Sequence, residues 1–385
     1  MIDSAGARRL WLDPRWRNFR YALLATVLWR SILLGVSFAG FRLFPLDRAF
    51  RHSSPFGPNA YWNGWCRWDA EYYRAIADLG YQAGGITPAF FPLFPYSARA
   101  VSVVTGNTWV ALLVTAHAYL LLGVWMLYRL ALLKMDERDA KRAVVLLLAF
   151  PASFFFGAAY SEASFIFCVA ATFYFFERKR FWAVGLCGAL AAADRATGIL
   201  LLPALCLDQL RAHGIRGWSR KDLGLLWLFF IPFGLLAFVL LLKHATGSYT
   251  AFVQAQQSWG RSLSWPWDTV LVEIARARSG HVIGADASMV VTLNLLATAL
   301  LLAASFAAIR PFGWAYFGFA FLACMSLLFS GYLESACRVA ATTIPLTLVL
   351  VRWTRDQRVE RCVLLVSVLL LALLMTRFVN GYWMT

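Results

Sequence analysis

Charge is what this chain has least of. Only 15% of its 385 residues are Asp, Glu, Lys or Arg, against 61% apolar, and the mean hydropathy is +0.62. Soluble domains sit nearer about a quarter charged and about half apolar, so a soluble core of this size would lack the polar surface to cover itself. Metal- and nucleotide-binding spacings are missing too. The seven cysteines contain no C-x-x-C pair, and the five histidines contain no H-E-x-x-H. Neither a zinc site nor a disulfide framework is indicated. A bridge between Cys66 and Cys337, which could both face an oxidising side, stays open. There is no Walker loop and no G-x-S-x-G elbow, which leaves ATP-driven transport and serine-hydrolase chemistry without support.

What is present is a series of long apolar runs punctuated by short basic clusters. The net charge of +16 is spread over those clusters rather than gathered on one face. That is the pattern of a membrane protein with positive loops inside, and it argues against a nucleic-acid partner. Arg8, Arg9, Arg15, Arg17 and Arg20 precede the first run, Tyr21 to Phe44. No small-residue cleavage site follows, so this run reads as a signal anchor with a cytoplasmic N-terminus. Arg30 lies inside it and should face protein or water.

The remaining path follows from run length, since a crossing needs about 20 apolar residues. A span from Trp109 to Leu133 leads to the basic cluster Lys134, Arg138, Lys141 and Arg142. Two shorter runs, Ala143–Ala159 and Ala163–Phe176, are joined by Tyr160-Ser161-Glu162. The run Phe181–Leu207, crossed once, would put Arg211, Arg216, Arg220 and Lys221 outside. Two half-length helices meeting at Asp194-Arg195 keep the positive-inside pattern, and such breaks are tolerated where they line a cavity. Spans Asp222–Lys243, Ser288–Ile309, Phe312–Ser330, Val339–Val351 and a last one ending near Thr385 complete the chain. The expectation is an all-α integral membrane protein of about eleven transmembrane or half-length helices. Residues 1–385 form one polytopic membrane domain in this reading. Its two outer loops, 45–108 and 244–287, carry interfacial helices.

This topology brings four polar features to the outer face: Arg67-Trp68-Asp69, Tyr160-Ser161-Glu162, Asp194-Arg195, and Glu334 with Arg338. Ionisable residues at the rim or interior of a bundle are functional candidates. Asp69 precedes an apolar stripe of Tyr72, Tyr73, Ile76, Ala77 and Leu79, with Gly80 as a stop. It reads either as a helix N-cap or as a general base, and only the second role needs a carboxylate. Trp68 and the tyrosines suit an interfacial helix. Ala89 to Pro95, A-F-F-P-L-F-P, is an interfacial anchor or a wall for a lipid or sugar. Glu162 either meets sugar hydroxyls or pairs with an arginine. Arg195 and Arg338 suit a phosphate, because arginine offers a bidentate fork, or they pair with Asp194 and Glu334. The stretch 254–267, rich in Gln, Ser and Trp, suits sugar contacts or an interface.

R-W-D-A-E-Y-Y-R-A-I-A-D-L-G-Y, Arg67 to Tyr81, followed by F-F-P-L-F-P, resembles the signature of the PIG-V-like mannosyltransferases. P-A-S-F-F-F-G-A-A-Y-S-E-A-S-F from Pro151 and D-R-A-T-G-I-L-L-L-P from Asp194 resemble two further segments of that family. R-V-A-A-T-T-I-P-L from Arg338 resembles its late Arg-Tyr segment, with Val339 where tyrosine is usual. The resemblance implies a GT-C type fold and a non-cytoplasmic active site. It also implies inverting transfer of a sugar, mannose by analogy, from a polyprenyl-phosphate donor to a hydroxyl on a glycan or lipid acceptor. Asp69 matches the acidic position and would be the general base, with no cofactor or metal indicated. Arg67, Trp68, Tyr73, Tyr160, Ser161, Glu162, Arg195 and Arg338 would line the substrate site. The Ala- and Arg-rich makeup suggests a bacterium, hence the cytoplasmic membrane. Two other classes compete: a transporter or flippase for a polyprenyl-linked lipid, and a non-catalytic membrane subunit.

Overall fold

The protein is described by a computed structural model covering residues 16–47, 53–214, 220–279 and 287–384. Arg8, Arg9, Arg15 and Arg216 lie outside the described residues. So do 48–52 of the first expected loop and 280–286 of the second. The described chain is helical, with no strand among the described residues. Among the described residues, five stretches are long and apolar enough to cross a membrane. They are α1 (Arg17–Leu43), α4 (Thr108–Lys134), Leu223–Thr246, α12 (Ala287–Phe312) and α16 (Gln357–Val379). A sixth is α14 (Ala336–Thr342) with α15 (Ile344–Trp353), if this pair, bent by 77°, is one span. Pro345 opens α15; its missing N–H and fixed φ explain a break there. This is an integral membrane protein, with shorter apolar helices beside these candidate crossings; the expected count of about eleven transmembrane or half-length helices is not confirmed.

Helix ends fall where sequence chemistry puts them. Asn107 caps α4 by accepting from the Val110 N–H at 3.1 Å. Asp136 caps α5 (Glu137–Leu148) through the Asp139 N–H at 2.8 Å. Asp356 caps α16 through the N–H groups of Arg358 and Val359 at 2.8 and 3.2 Å. Each cap satisfies donors that the first turn leaves orphaned. Inside α1, the buried Arg30 guanidinium sits over the Trp65 ring at 3.9 Å. It faces protein rather than lipid.

The middle of the chain forms the scaffold for the site. α6 (Glu162–Glu177) packs along α4 and α7 (Phe181–Ala192). The run 181–207 is indeed broken: α7 stops, a 3-10 turn spans Ala196–Leu200, and α8 (Leu201–His213) begins. Gly198 makes the reversal possible, because a Cβ there would lie 2.2 Å from the Ala191 carbonyl. The Leu93 N–H donates to the Ala193 carbonyl at 3.0 Å and ties the break to α3 (Leu93–Thr105). The first loop also carries α2 (Asp69–Leu79). After α9 (Pro232–Thr246) the second loop carries α10 (Ala251–Ser258) and α11 (Pro266–Ser279). α13 (Trp314–Leu328) then packs against α12 and α8.

Both ends of the bundle can be followed through α4 and α6. The Thr108 hydroxyl donates to Asp78 of α2 at 2.5 Å, while at the other end Lys134 pairs with Glu177 at 2.6 Å. α6 therefore runs from Glu162, beside the first loop, to Glu177, among the basic clusters. All seven cysteines are free, Cys66 and Cys337 included, so the open bridge is not formed.

Candidate active site

The site begins with a strained turn. Trp68 precedes α2 with φ 58° and ψ −119°, a backbone region that a bulky residue seldom adopts. One hydroxyl holds both sides of it. Tyr160 donates to the Arg67 carbonyl at 3.1 Å and accepts from the Asp69 N–H at 3.3 Å. The Trp68 ring packs edge-on against Trp383 at 4.7 Å. Asp69 is the first residue of α2 and not its cap, and it makes no capping bond. The cap reading thus gives way to another partner, because the carboxylate reaches across the bundle to Arg338 at 2.8 Å.

From Arg338 a polar chain runs inward. Its Nε donates to Glu162 Oε1, and its guanidinium lies 4.9 Å from the Phe155 and Tyr160 ring centres. Arg195 reaches the same Glu162 oxygen at 2.6 Å and the Ser161 hydroxyl at 3.2 Å. Tyr73 and Ser161 share a hydrogen bond of 2.8 Å. Glu162 is fully buried and its Oε2 has no hydrogen-bond partner. The arginines do pair with acids, but not with the expected ones. Asp194 instead accepts from the Ser164 hydroxyl at 2.9 Å, and Glu334 faces Arg276 at 3.6 Å. A buried pair of this kind fixes geometry more surely than it adds stability, since desolvation offsets much of the attraction.

A cavity of about 550 Å³ opens over this chain. Asp69, Tyr73, Arg195 and Arg338 line it. Tyr160, Ser161 and Glu162 lie behind that wall as buried supports. Ala89, Phe90 and Phe91 also face the cavity, with Phe90 stacked on Tyr72 at 4.9 Å. The A-F-F-P segment therefore supplies wall. Two expected members stand elsewhere. Trp68 is not on the lining, and Arg67 lines a different cavity on the far side of the turn. The positive φ at Trp68 separates neighbours in sequence into different spaces, which no residue pattern announces.

The residue that sequence reasoning passed over is Arg261. It lines the same cavity, between Trp259 and Ser262 of the second loop. Its guanidinium makes no ion pair or hydrogen bond among the described residues. Burial lowers its pKa from the ordinary arginine value, while the Glu334 carboxylate works in the opposite direction. Arg195 and Arg338 are engaged with acids; Arg261 is a cation on the cavity wall without such an engagement among the described residues. Gly260 has φ +72°, and its built Cβ would lie 3.3 Å from the Tyr332 ring. Glycine at 260 thus accommodates both the left-handed backbone and the close approach of Tyr332 beside Arg261. The Gln-, Ser- and Trp-rich composition flagged this stretch, but not which residue mattered. Among the described residues no three His, Cys, Asp or Glu side chains cluster as metal ligands.

The sequence profile described as Mannosyltransferase (PIG-V) matches residues 18–272, a stretch that includes the Asp69 turn, Glu162, Arg195 and Arg261. The chain belongs to the PIG-V mannosyltransferase family. Among curated proteins, this family member is similar to GPI alpha-1,6-mannosyltransferase 2 of Mus musculus. The two are 35% identical over 159 residues, covering 38% of this chain and 32% of the mouse protein. The Rattus norvegicus protein of the same name is 34% identical over 167 residues. The match thus spans about a third of the length of these relatives. Among solved structures, ArnT from Cupriavidus metallidurans has a TM-score of 0.54 at 14% identity, covering 88% of this chain and 61% of its own. The Archaeoglobus fulgidus oligosaccharyltransferase has a TM-score of 0.50 at 12% identity, covering 96% and 56%. The fold of this PIG-V family chain is of the GT-C type.

Proposed function

We propose that this PIG-V family chain is a membrane glycosyltransferase. It moves a mannosyl group from a polyprenyl-phosphate donor to a hydroxyl acceptor, with inversion, on the non-cytoplasmic face. One observation carries the reading: a carboxylate, Asp69, and an ion-pair-free guanidinium, Arg261, face one cavity at the end of a membrane bundle. Family membership supports mannose, and the undecaprenyl phosphate bound by ArnT suits the lipid donor. The basic clusters at the opposite end suit a cytoplasmic side there.

The step balances without a further reactant. The acceptor oxygen attacks the anomeric carbon while its proton passes to the Asp69 carboxylate. The bond from the anomeric carbon to the phosphate oxygen breaks, and the electron pair leaves with the lipid phosphate. Charge grows on that phosphate in the transition state, where a fixed guanidinium stabilises it best. Arg338 holds Asp69 in position, Glu162 holds Arg338 and Arg195, and Tyr160 holds the turn. A single displacement inverts the anomeric centre. The scheme uses no metal ion.

The test is transfer by the purified full chain in detergent, supplied with polyprenyl-phosphate-mannose and candidate acceptors or water. Release of polyprenyl phosphate with appearance of a mannosylated product, or of free mannose, is the expected result. Tight donor binding with no turnover across acceptors would instead favour a flippase or an accessory subunit.

A further inference from the structure

Arg67 is buried, at 4% exposure, yet the transferase scheme does not use it. Its side chain lines a second cavity of about 390 Å³. The walls come from the end of α1 (Phe41, Phe44), from the first loop (Ser54, Asn59) and from Asn380 beyond α16. The Arg67 Nε is buried without a hydrogen-bond partner, and no described acid lies within 4.0 Å of the guanidinium. Burial lowers its pKa to about 10, so the charge persists at neutral pH. Glu71 works against that shift through space, but the guanidinium has no hydrogen-bonded acid among the described residues, and a buried cation so placed is costly and calls for an anion.

The nearby groups leave that role open. Glu71 accepts from the Ser53 N–H and hydroxyl at 3.1 and 2.9 Å. Asp47 lines the cavity; its N–H donates to the Asn380 carbonyl at 2.8 Å, and it has a further partner of its own. The Asn380 amide is spent on the Gly40 and Thr376 carbonyls at 3.2 and 2.9 Å. The Asn63 side chain is spent on the Phe56 N–H and the Gly57 carbonyl at 3.1 and 2.8 Å. Among the described residues, the Arg67 fork faces the space with the Ser54 hydroxyl and Asn59 amide beside it, and Asp47 stands on the same wall. A planar guanidinium matches two oxygens of one phosphate.

The setting indicates where such a phosphate comes from. Phe44 and Leu46, 58% and 43% exposed, continue from the lipid-facing end of α1 to the cavity wall. Acyl chains lie against such a surface, with headgroups at the level of the helix end. We propose that this second cavity holds the phosphate of a membrane lipid headgroup, gripped by Arg67 and separated from the transfer site by the strained Trp68 turn. The site stands whether or not the chain transfers sugar.

The test is lipid retention by the full chain, delipidated in detergent and titrated with phosphatidylglycerol, read by native mass spectrometry. An Arg261→Gln background removes the ion-pair-free cation of the larger cavity from the comparison. Adding Arg67→Gln should weaken retention at least about tenfold, the loss of a charge-assisted fork. Arg67→Lys should keep part of it. Inorganic phosphate at millimolar concentration should not displace the lipid; if it does so equally well, the phosphate chemistry stands and its source is soluble. Equal retention with and without the Arg67 guanidinium overturns the proposal. Should Arg67→Gln fail to fold, Ser54→Phe obstructs the cavity with the arginine intact. It is expected to lose the lipid, and unchanged retention there also overturns the proposal.

Discussion

Arginines meet acids at both ends of this bundle, and only one end looks like a place for chemistry. At the basic end Arg142 bonds Asp139 at 2.7 Å, Glu360 at 2.5 Å and the Thr354 hydroxyl at 3.0 Å. Lys134 and Tyr316 share Glu177 at 2.6 and 3.0 Å. These contacts tie α5 to the α15–α16 connection and α4 to α6 and α13. At the other end Arg338 joins Asp69 to Glu162, and Arg195 joins the same Glu162. Pairing is common to both. Among the described residues, the second end sets a carboxylate on one wall of a cavity and the ion-pair-free Arg261 on another. A charged residue in a membrane protein is thus a weak functional mark until the space it faces is known.

The largest effect should come from Asp69→Asn. Asparagine can still accept from Arg338, so the polar chain and fold persist while the base is gone. Turnover is expected to fall by about 10²–10⁴, the usual worth of a general base, with the melting temperature nearly unchanged. Retained turnover would make this end resemble the basic end, with Asp69 merely an arginine's partner. Next comes Arg261→Gln, expected to lower kcat/KM for the lipid-linked donor by about 10²–10³, as loss of a transition-state charge partner does. Arg261→Lys should recover part of that. A charge partner engaged only in the transition state predicts a fall in kcat, whereas a rise in KM alone would limit Arg261 to holding the donor.

The converse experiment is Arg142→Gln at the basic end. It leaves Glu360 and Asp139 without their shared cation and should cost about 1–3 kcal/mol of stability, between exposed and buried pairs. A lower melting temperature in detergent is the expected reading, with transfer at permissive temperature within about twofold of wild type.

Much of this contrast is legible in the sequence. Long apolar runs with basic punctuation predict the membrane class, and the Asp194-Arg195 interruption predicts the broken helix, because a charged pair inside an apolar run needs a cavity or a bend. The motifs carry the family. Three features were hidden, each for a physical reason. The φ of Trp68 is a tertiary property, held by Tyr160 just before α6, and Arg67 and Asp69 on either side of it line separate cavities. The partners of Arg195 and Arg338 are set by how helices cross, so nearby Asp194 and Glu334 lose to Glu162 and Asp69. Arg261 stands among Gln, Ser and Trp with no periodic pattern, and only its lack of a partner in space singles it out.

The smallest effect tests the strained turn itself. Tyr160→Phe keeps the ring that Arg338 lies against and removes only the hydroxyl that bridges the Arg67 carbonyl and the Asp69 N–H. At about 1 kcal/mol for a typical net hydrogen bond, the loss is too small to unfold the chain. It is enough to let Trp68 relax toward a commoner backbone conformation and carry Asp69 off its line to the acceptor. A fall in kcat of roughly fivefold follows from that energy, with KM for the donor unchanged because Arg261 is untouched. The matching change at the basic end, Tyr316→Phe beside Glu177, should lower the melting temperature slightly and leave kcat alone. If both tyrosines affect only melting, the Tyr160 hydroxyl supports the fold and not the aim of the carboxylate. A kcat effect confined to Tyr160 would show that the strain at Trp68 is held in place for the reaction.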